Sequence, residues 1–148
     1  MPEDTFRVQQ IDHVELIVPD RHEAARWYER VLGLQIVNDF AFWADDPNGP
    51  LMIASASGGT MLALFAGKPR GSQRGVSHWR VAFRVDGPGF LAFLARLEDI
   101  SLQNDDGETL TAAHEVDHDR SYSIYFVDPF GYQYEITTYE YDFVRTRL

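Results

Sequence analysis

IYFVDPFGYQYEI (residues 124–136) lies over MIASASGGTMLAL (52–64) without a gap, Gly131 matching Gly59. Each stretch reads as two short apolar runs meeting at a glycine-containing turn, which is the pattern of a β-hairpin. The chain repeats itself again upstream of each hairpin. HVELIV (13–18) lies over RVAFRV (80–85), with Val14, Leu16 and Val18 matching Val81, Phe83 and Val85. Matching strands followed by matching hairpins, in the same order, mean two modules of one topology.

The segments between them complete each module. IDHVELIV (11–18) alternates, with Val14, Leu16 and Val18 on one face and His13, Glu15 and Ile17 on the other. PDRHEAARWYERVLGL (19–34) predicts a helix. Asp20 and Glu23 have capping-box spacing, Ala24, Trp27, Tyr28, Val31 and Leu32 form the apolar stripe, and Gly33 supplies the stop. QIVNDFAFWA (35–44) reads as a second strand, with Phe40, Phe42 and Trp43 assigned to core packing, and DDPNGP (45–50) reads as a loop. KPRGSQRG (68–75) is a polar linker. After it, SHWRVAFRV (77–85) alternates, placing Trp79, Val81, Phe83 and Val85 on one face and His78, Arg80, Ala82 and Arg84 on the other. A helix is expected after Gly87-Pro88-Gly89, with Phe90, Phe93, Leu94 and Leu97 at helical spacing. SLQNDDGETLTAAHEVDHD (101–119) holds a strand and a loop, the Asn104-Asp105-Asp106 turn being solvated.

The expected fold is therefore α+β, two tandem βαβββ modules, with module one over 9–67, module two over 76–140 and a C-terminal extension over 141–148. A chain of 148 residues can bury a core without staples. Its ten Phe, seven Tyr and three Trp supply aromatic area for an interior or a pocket wall. The absence of cysteine excludes disulfides and thiolate metal ligands and fits a reducing compartment. A formal charge of −10 argues against nucleic-acid binding, which rests on neutralising phosphates. The charge also opposes anionic membranes, and no apolar run approaches the ~20 residues of a spanning helix. MPEDTFRVQQ has neither the basic nor the apolar region of a signal peptide, so a soluble, cytoplasmic protein is expected.

IDHVELIVPDRHEAARWYERVLGL (11–34) and SIYFVDPFGYQYEITTYE (123–140), the latter with a DPxGxxxE pattern ending on Glu135, resemble the vicinal oxygen chelate superfamily. That superfamily includes glyoxalase I, bleomycin-resistance proteins, fosfomycin-resistance enzymes and extradiol dioxygenases. The resemblance spans roughly residues 9 to 140 and implies eight strands in an incompletely closed barrel around one pocket (a glyoxalase-like fold). It implies metal ligands at His13 and Glu135. The strict match to a second histidine is Arg80, and the module-one match to Glu135 is Ala63. His78 is two residues from Arg80 on the same strand face, ~6.6 Å along it, and is the remaining candidate ligand. His13, His78 and Glu135 would suit Fe, Mn or Zn with positions left open for substrate. Arg80 opposes such an ion, and a salt bridge from Glu135 to Arg80 or His13 is the alternative to metal binding.

The resemblance also makes Tyr125, ten residues before Glu135, a substrate-oriented phenol. His118, in VDHDRSYSIYF (116–126), is the second candidate proton-handling group. Tyr125 and His118 are thus the catalytic candidates, with Arg80 and Tyr125 facing substrate. Two functions follow. One is a divalent-metal enzyme of dioxygenase, isomerase or lyase type, acting on vicinal oxygens without an organic cofactor. The other is a metal-free binding or drug-sequestering protein of the bleomycin-resistance kind. A homodimer is the expected assembly in either case.

Overall fold

The computed structural model describes residues 6–69 and 80–148, which fall in two compact units, Met1–Pro69 and Arg70–Leu148. The first unit runs β1 (His13–Val18), α1 (Arg21–Leu32), β2 (Gln35–Ile36), a 3-10 helix (Asn38–Asp45), β3 (Leu51–Ala54) and β4 (Met61–Ala66). Its open sheet has the order β1-β4-β3-β2, with β1 and β4 parallel and the other pairs antiparallel.

Alternation along β1 buries Leu16 and Val18 and leaves His13 and Glu15 exposed. Helix α1 begins where the Asp20 carboxylate accepts the Glu23 amide at 3.0 Å. It ends where Gly33 takes a left-handed backbone, φ 72°, and returns its amide to Glu29. Between these ends, Ala24, Ala25, Tyr28 and Val31 are buried.

The expected strand over 35–44 stops after Ile36. Residues 38–45 coil instead, because the Arg21 guanidinium gathers carbonyls that a strand would spread along its length. It donates to Ala44 O (3.0 Å), Asp46 O (3.2 Å) and Gly49 O (2.6 Å). The aromatics of this turn are not core. Phe40 stacks on Trp43 at 4.5 Å, while Phe42 and Trp43 stay exposed.

The second unit repeats the plan with β5 (Val81–Arg84), α2 (Gly87–Arg96), a short 3-10 turn (Ala112–His114), β6 (Val116–Asp117), β7 (Tyr122–Val127), β8 (Gln133–Thr138) and a terminal helix α3 (Tyr141–Arg145). Its sheet order is β5-β8-β7-β6, again with the first pair parallel. Helix α2 does not follow the Gly-Pro-Gly segment but starts with it. Asp86 caps Gly89 N at 2.7 Å, and Pro88 sits in the first turn, where no amide donor is needed. Its buried Phe90, Phe93 and Leu94 share the unit's core with Ile124, Phe126, Tyr134 and Ile136. The expected strand within 101–119 is reduced to the two residues of β6 and a bridge at Gln103. Among the described residues, eight strands of an α+β, glyoxalase-like fold are thus present as two open four-stranded sheets of identical order.

The hairpins match less evenly than the sequence suggests. Ala63 pairs with Glu15 and Glu135 with Ala82, so β4 and β8 correspond as aligned. On the other strand of each hairpin, Ala63 pairs with Met52 but Glu135 pairs with Tyr125. The first hairpin is one residue longer, so Met52 corresponds to Tyr125 and not to Ile124. The shorter turn is fixed by buried Asp128. Its Oδ1 accepts the amides of Phe130 (2.8 Å) and Tyr132 (2.9 Å), and its own amide donates to Tyr132 O at 3.0 Å.

Candidate functional site

Period-two alternation on β7 and β8 sends Ile124, Phe126, Tyr134 and Ile136 into the core and turns Ser123, Tyr125, Glu135 and Thr137 to the opposite face. Arg80 and Ala82 at the β5 end complete the wall of an open hollow of about 450 Å³, lined by Arg80, Ala82, Tyr125 and Glu135. A second hollow of about 210 Å³ shares Arg80 and Tyr125 and adds Asn104, Asp105, Asp106 and His114.

Tyr125 is the centre of this face. Its hydroxyl lies 2.8 Å from His118 Nε2, a ring nitrogen carried by the turn between β6 and β7. The Arg80 guanidinium stands over its ring, 4.6 Å from the centroid, a cation–π contact worth about 0.5–2 kcal/mol. Burial, and then the charge of Glu135, push the Tyr125 phenol above its usual pKa. The hydrogen bond to Ser123 and the charge of Arg80 act in the opposite sense. The phenol is therefore protonated at neutral pH, able to donate to His118 or to a bound oxygen.

Glu135 has no ion pair with Arg80. Its Oε2 accepts from Ser123 Oγ at 2.7 Å, and Ser123 Oγ is 2.9 Å from Thr137 Oγ1. Ser123 is fully buried and carries one hydroxyl proton, which Glu135 Oε2 and Thr137 Oγ1 both stand ready to accept, while the Thr137 hydroxyl donates to Tyr122 O at 3.3 Å. Arg80 takes a different carboxylate, with Nη2 2.8 Å from Asp105 Oδ2. The Asn104-Asp105-Asp106 segment is accordingly a wall of the second hollow and not a purely solvated turn. Arg80 Nε and Asp105 Oδ1 are buried without a hydrogen-bond partner, so this ion pair has one arm where a guanidinium can make two.

Of the sequence candidates, Tyr125, Arg80 and Glu135 thus share one wall of the second unit, and His118 reaches it through the Tyr125 hydroxyl. Ser123 and Asp105 belong there as well. Ser123 could have been found from its place two residues before Tyr125, a lone hydroxyl on the same face of an apolar strand. Asp105 carried no such signal, because its partner is 25 positions away. His78 lies outside the described residues.

His13 lies in the first unit, near the start of β1. Its Nδ1 is 2.8 Å from Asp12 Oδ2, and its Nε2 is 3.3 Å from Glu15 Oε2. The hydrogen bond to Asp12 raises the His13 pKa above the ordinary histidine value, partial burial opposes this, and Glu15 adds to the rise. A raised folded-state pKa gives stability that is fully present below the unfolded value of about 6.5. That stability is lost as pH rises through the folded value. In metal-free protein, His13 is expected to titrate above ~6.5 in an NMR pH series, and Asp12→Asn to lower its midpoint. A His13 midpoint at or below that value would contradict the Asp12 and Glu15 contacts.

Among the described residues, no group of three or more His, Cys, Asp or Glu side chains is placed to hold a metal ion, and no helix is long and apolar enough to cross a membrane. Glu135 is oriented by a hydroxyl, the usual support of a metal ligand, and the Asp12 carboxylate on His13 Nδ1 is support of the same kind. His13 Nε2, however, faces Glu15 and would have to leave it to meet an ion.

Two β-α-β-β-β units of one sheet order, the second carrying a carboxylate and a phenol on its open face, define a glyoxalase-like protein. The model of the Glyoxalase/Bleomycin resistance protein/Dioxygenase superfamily matches residues 10–136, and the chain belongs to that superfamily. No curated protein matches it. Among solved structures it is similar to oxidase ChaP-H2, at 20% identity and TM-score 0.62, over 89% of this chain and 94% of that one. It is similar to the fosfomycin resistance protein FosX from Mesorhizobium loti, at 18% identity and TM-score 0.62, over 89% and 93% of the two chains. FosX from Listeria monocytogenes, in complex with Mn(II) and sulfate, gives 14% identity and TM-score 0.63 over 95% and 98%.

Proposed function

We propose that the chain is a small-molecule enzyme of the glyoxalase/dioxygenase type, acting on a substrate with neighbouring oxygens bound against Arg80, Tyr125 and Glu135. The observation that carries this reading is the 2.8 Å contact of His118 Nε2 with the hydroxyl of Tyr125, which lines the hollow beside Glu135. A phenol, an imidazole and a carboxylate together can hold and move a proton, whereas a pocket that only sequesters a ligand needs no such pair. Tyr125 and His118 are the proton-handling residues in this proposal. Arg80, tethered by Asp105, faces substrate with its remaining donors.

The family resemblance assigns His13 and Glu135 as ligands, and His78, two residues from the strict position held by Arg80, would complete the set for Fe, Mn or Zn. A divalent ion held by them would supply Lewis-acid polarisation of substrate oxygens. The Mn(II) in the FosX complex is consistent with such chemistry in this superfamily. Reconstitution with each metal, followed by elemental analysis, is expected to give one ion per chain, and His13→Ala to abolish it. Sub-stoichiometric content with all three metals would sink the metal-dependent form of the proposal.

The second reading, a metal-free binding protein, is favoured by one observation. Ala63 holds the place in the first sheet that Glu135 holds in the second, so the repeat supplies one carboxylate where two are possible. Retention of an aromatic ligand by protein without metal, undiminished by His118→Ala, would support it. A homodimer, with either reading, is checked by light scattering.

A further inference from the structure

His118 stands on a turn whose other residues are tied down from an unexpected direction. Asp117, its immediate neighbour, accepts from Asp119 N at 2.8 Å through Oδ1. Its Oδ2 accepts from Tyr141 OH at 2.8 Å and from Tyr122 OH at 3.2 Å. The turn itself is specific in shape. Asp119 takes a left-handed backbone, φ 69°, and His118 N donates to Ser121 O at 2.9 Å. Tyr122 belongs to β7 and moves with the hairpin. Tyr141 does not, since it opens α3, beyond the last strand and 24 positions from Asp117.

Helix α3 is firmly seated within this unit. Val144 is fully buried, and the Phe143 ring lies so close to Gly87 at the start of α2 that a Cβ there would clash with it. The Tyr141 ring stacks on Tyr122 with centroids 5.0 Å apart and planes at 16°. A short path therefore runs from α3 through the Tyr141 hydroxyl to Asp117, and one residue on to the imidazole that contacts Tyr125.

We propose that Tyr141 is a positioning residue, whose hydroxyl holds Asp117 and thereby sets His118 against Tyr125. The C-terminal segment becomes part of the site's support without touching the hollow. The hydrogen bond that Tyr141 donates to the Asp117 carboxylate raises the Tyr141 pKa to about 12, so the phenol remains a donor across the working pH range. The Asp119 amide first, and Tyr141 next, hold the Asp117 carboxyl below its usual value. The functional weight of this inference rests on the proposed role of the His118–Tyr125 pair, but its test does not need turnover.

Tyr141→Phe keeps the ring stacked on Tyr122 and removes only the hydroxyl. The full chain, metal-free and labelled with 15N-histidine, is compared at a pH where His118 is neutral, with Tyr125→Phe defining the Nε2 signal of an unpaired His118. Tyr141→Phe is expected to move that signal at least half of the way to the Tyr125→Phe position, with the circular dichroism spectrum unchanged. Asp117→Asn, which keeps one acceptor oxygen, serves as the second variant and should move it in the same direction by less. A signal displaced less than half of the way in Tyr141→Phe overturns the inference and leaves the site reading intact. If Tyr125→Phe itself leaves His118 in place, the pair is absent in solution, and the site reading fails together with the inference. A loss of α3 in Tyr141→Phe with His118 still paired would also overturn it.

Discussion

Glu135→Gln is expected to lower the affinity for a divalent metal by about a hundredfold or more while leaving the fold intact. Replacing a residue that only supports a ligand already costs roughly 10–100-fold, and a ligand carboxylate contributes charge as well as geometry. The fold should survive because glutamine has the same shape and its side-chain oxygen can still accept from Ser123 Oγ, the 2.7 Å partner of Glu135. The Tyr125 phenol should respond too. Glu135 is the second contribution, after burial, raising its pKa, so removing the charge lowers that pKa toward its ordinary value. Isothermal titration with Mn or Zn, alongside an ultraviolet titration of tyrosine, measures both effects. Wild-type metal affinity in the Gln variant would remove Glu135 from the ligand set, whatever the phenol does.

Much of the fold was legible because it is local. The Asp20–Glu23 spacing and Gly33 bracket α1 as sequence alone suggested, and the alternation of HVELIV puts Leu16 and Val18 inside. The repeat was legible because each hairpin carries a glycine at its turn. Its one-residue inequality was not, since the gapless alignment also sets Met52, Ile53 and Ala54 against the apolar or aromatic Ile124, Tyr125 and Phe126. Residues 35–44 misled for a physical reason. Phe-Ala-Phe-Trp suits a strand as well as a turn, and the choice is made by Arg21, whose carbonyl partners lie 23 to 28 positions away.

The candidate site divides along the same line. Tyr125 and Glu135 could be paired from a turn motif, because Asp128 closes the loop between them by short-range hydrogen bonds. His118 could be suspected from its place just before the strand. The groups that hold these residues could not be assigned in advance, since Asp105 and Tyr141 reach their partners across 25 and 24 positions. Candidate ligands and proton carriers were thus readable in order, and their supports only in space.

Phe126→Ala is expected to cost about 3–5 kcal/mol of stability, the usual range for emptying a large aromatic from a core. Phe126 is fully buried, with its ring 5.7 Å from Phe93 and 5.6 Å from Tyr134, which is in turn 5.7 Å from Phe83. No single neighbour can fill the space without leaving its own contacts, so the cavity should persist in the variant. Phe126→Leu, which keeps most of the volume, should cost under about 1.5 kcal/mol. Urea unfolding monitored by tryptophan fluorescence measures both, and near-equal losses would mean that the site collapses freely. The effect is not confined to the core. Phe126 pairs with Tyr134 in the ladder position next to Tyr125 and Glu135, and the two pairs point to opposite faces of the same two strands. The register that packs one pair therefore presents the other. Loosening of the β7–β8 pairing in Phe126→Ala should accordingly appear at the open face as well, as faster amide exchange at Tyr125 and Glu135 than in Phe126→Leu.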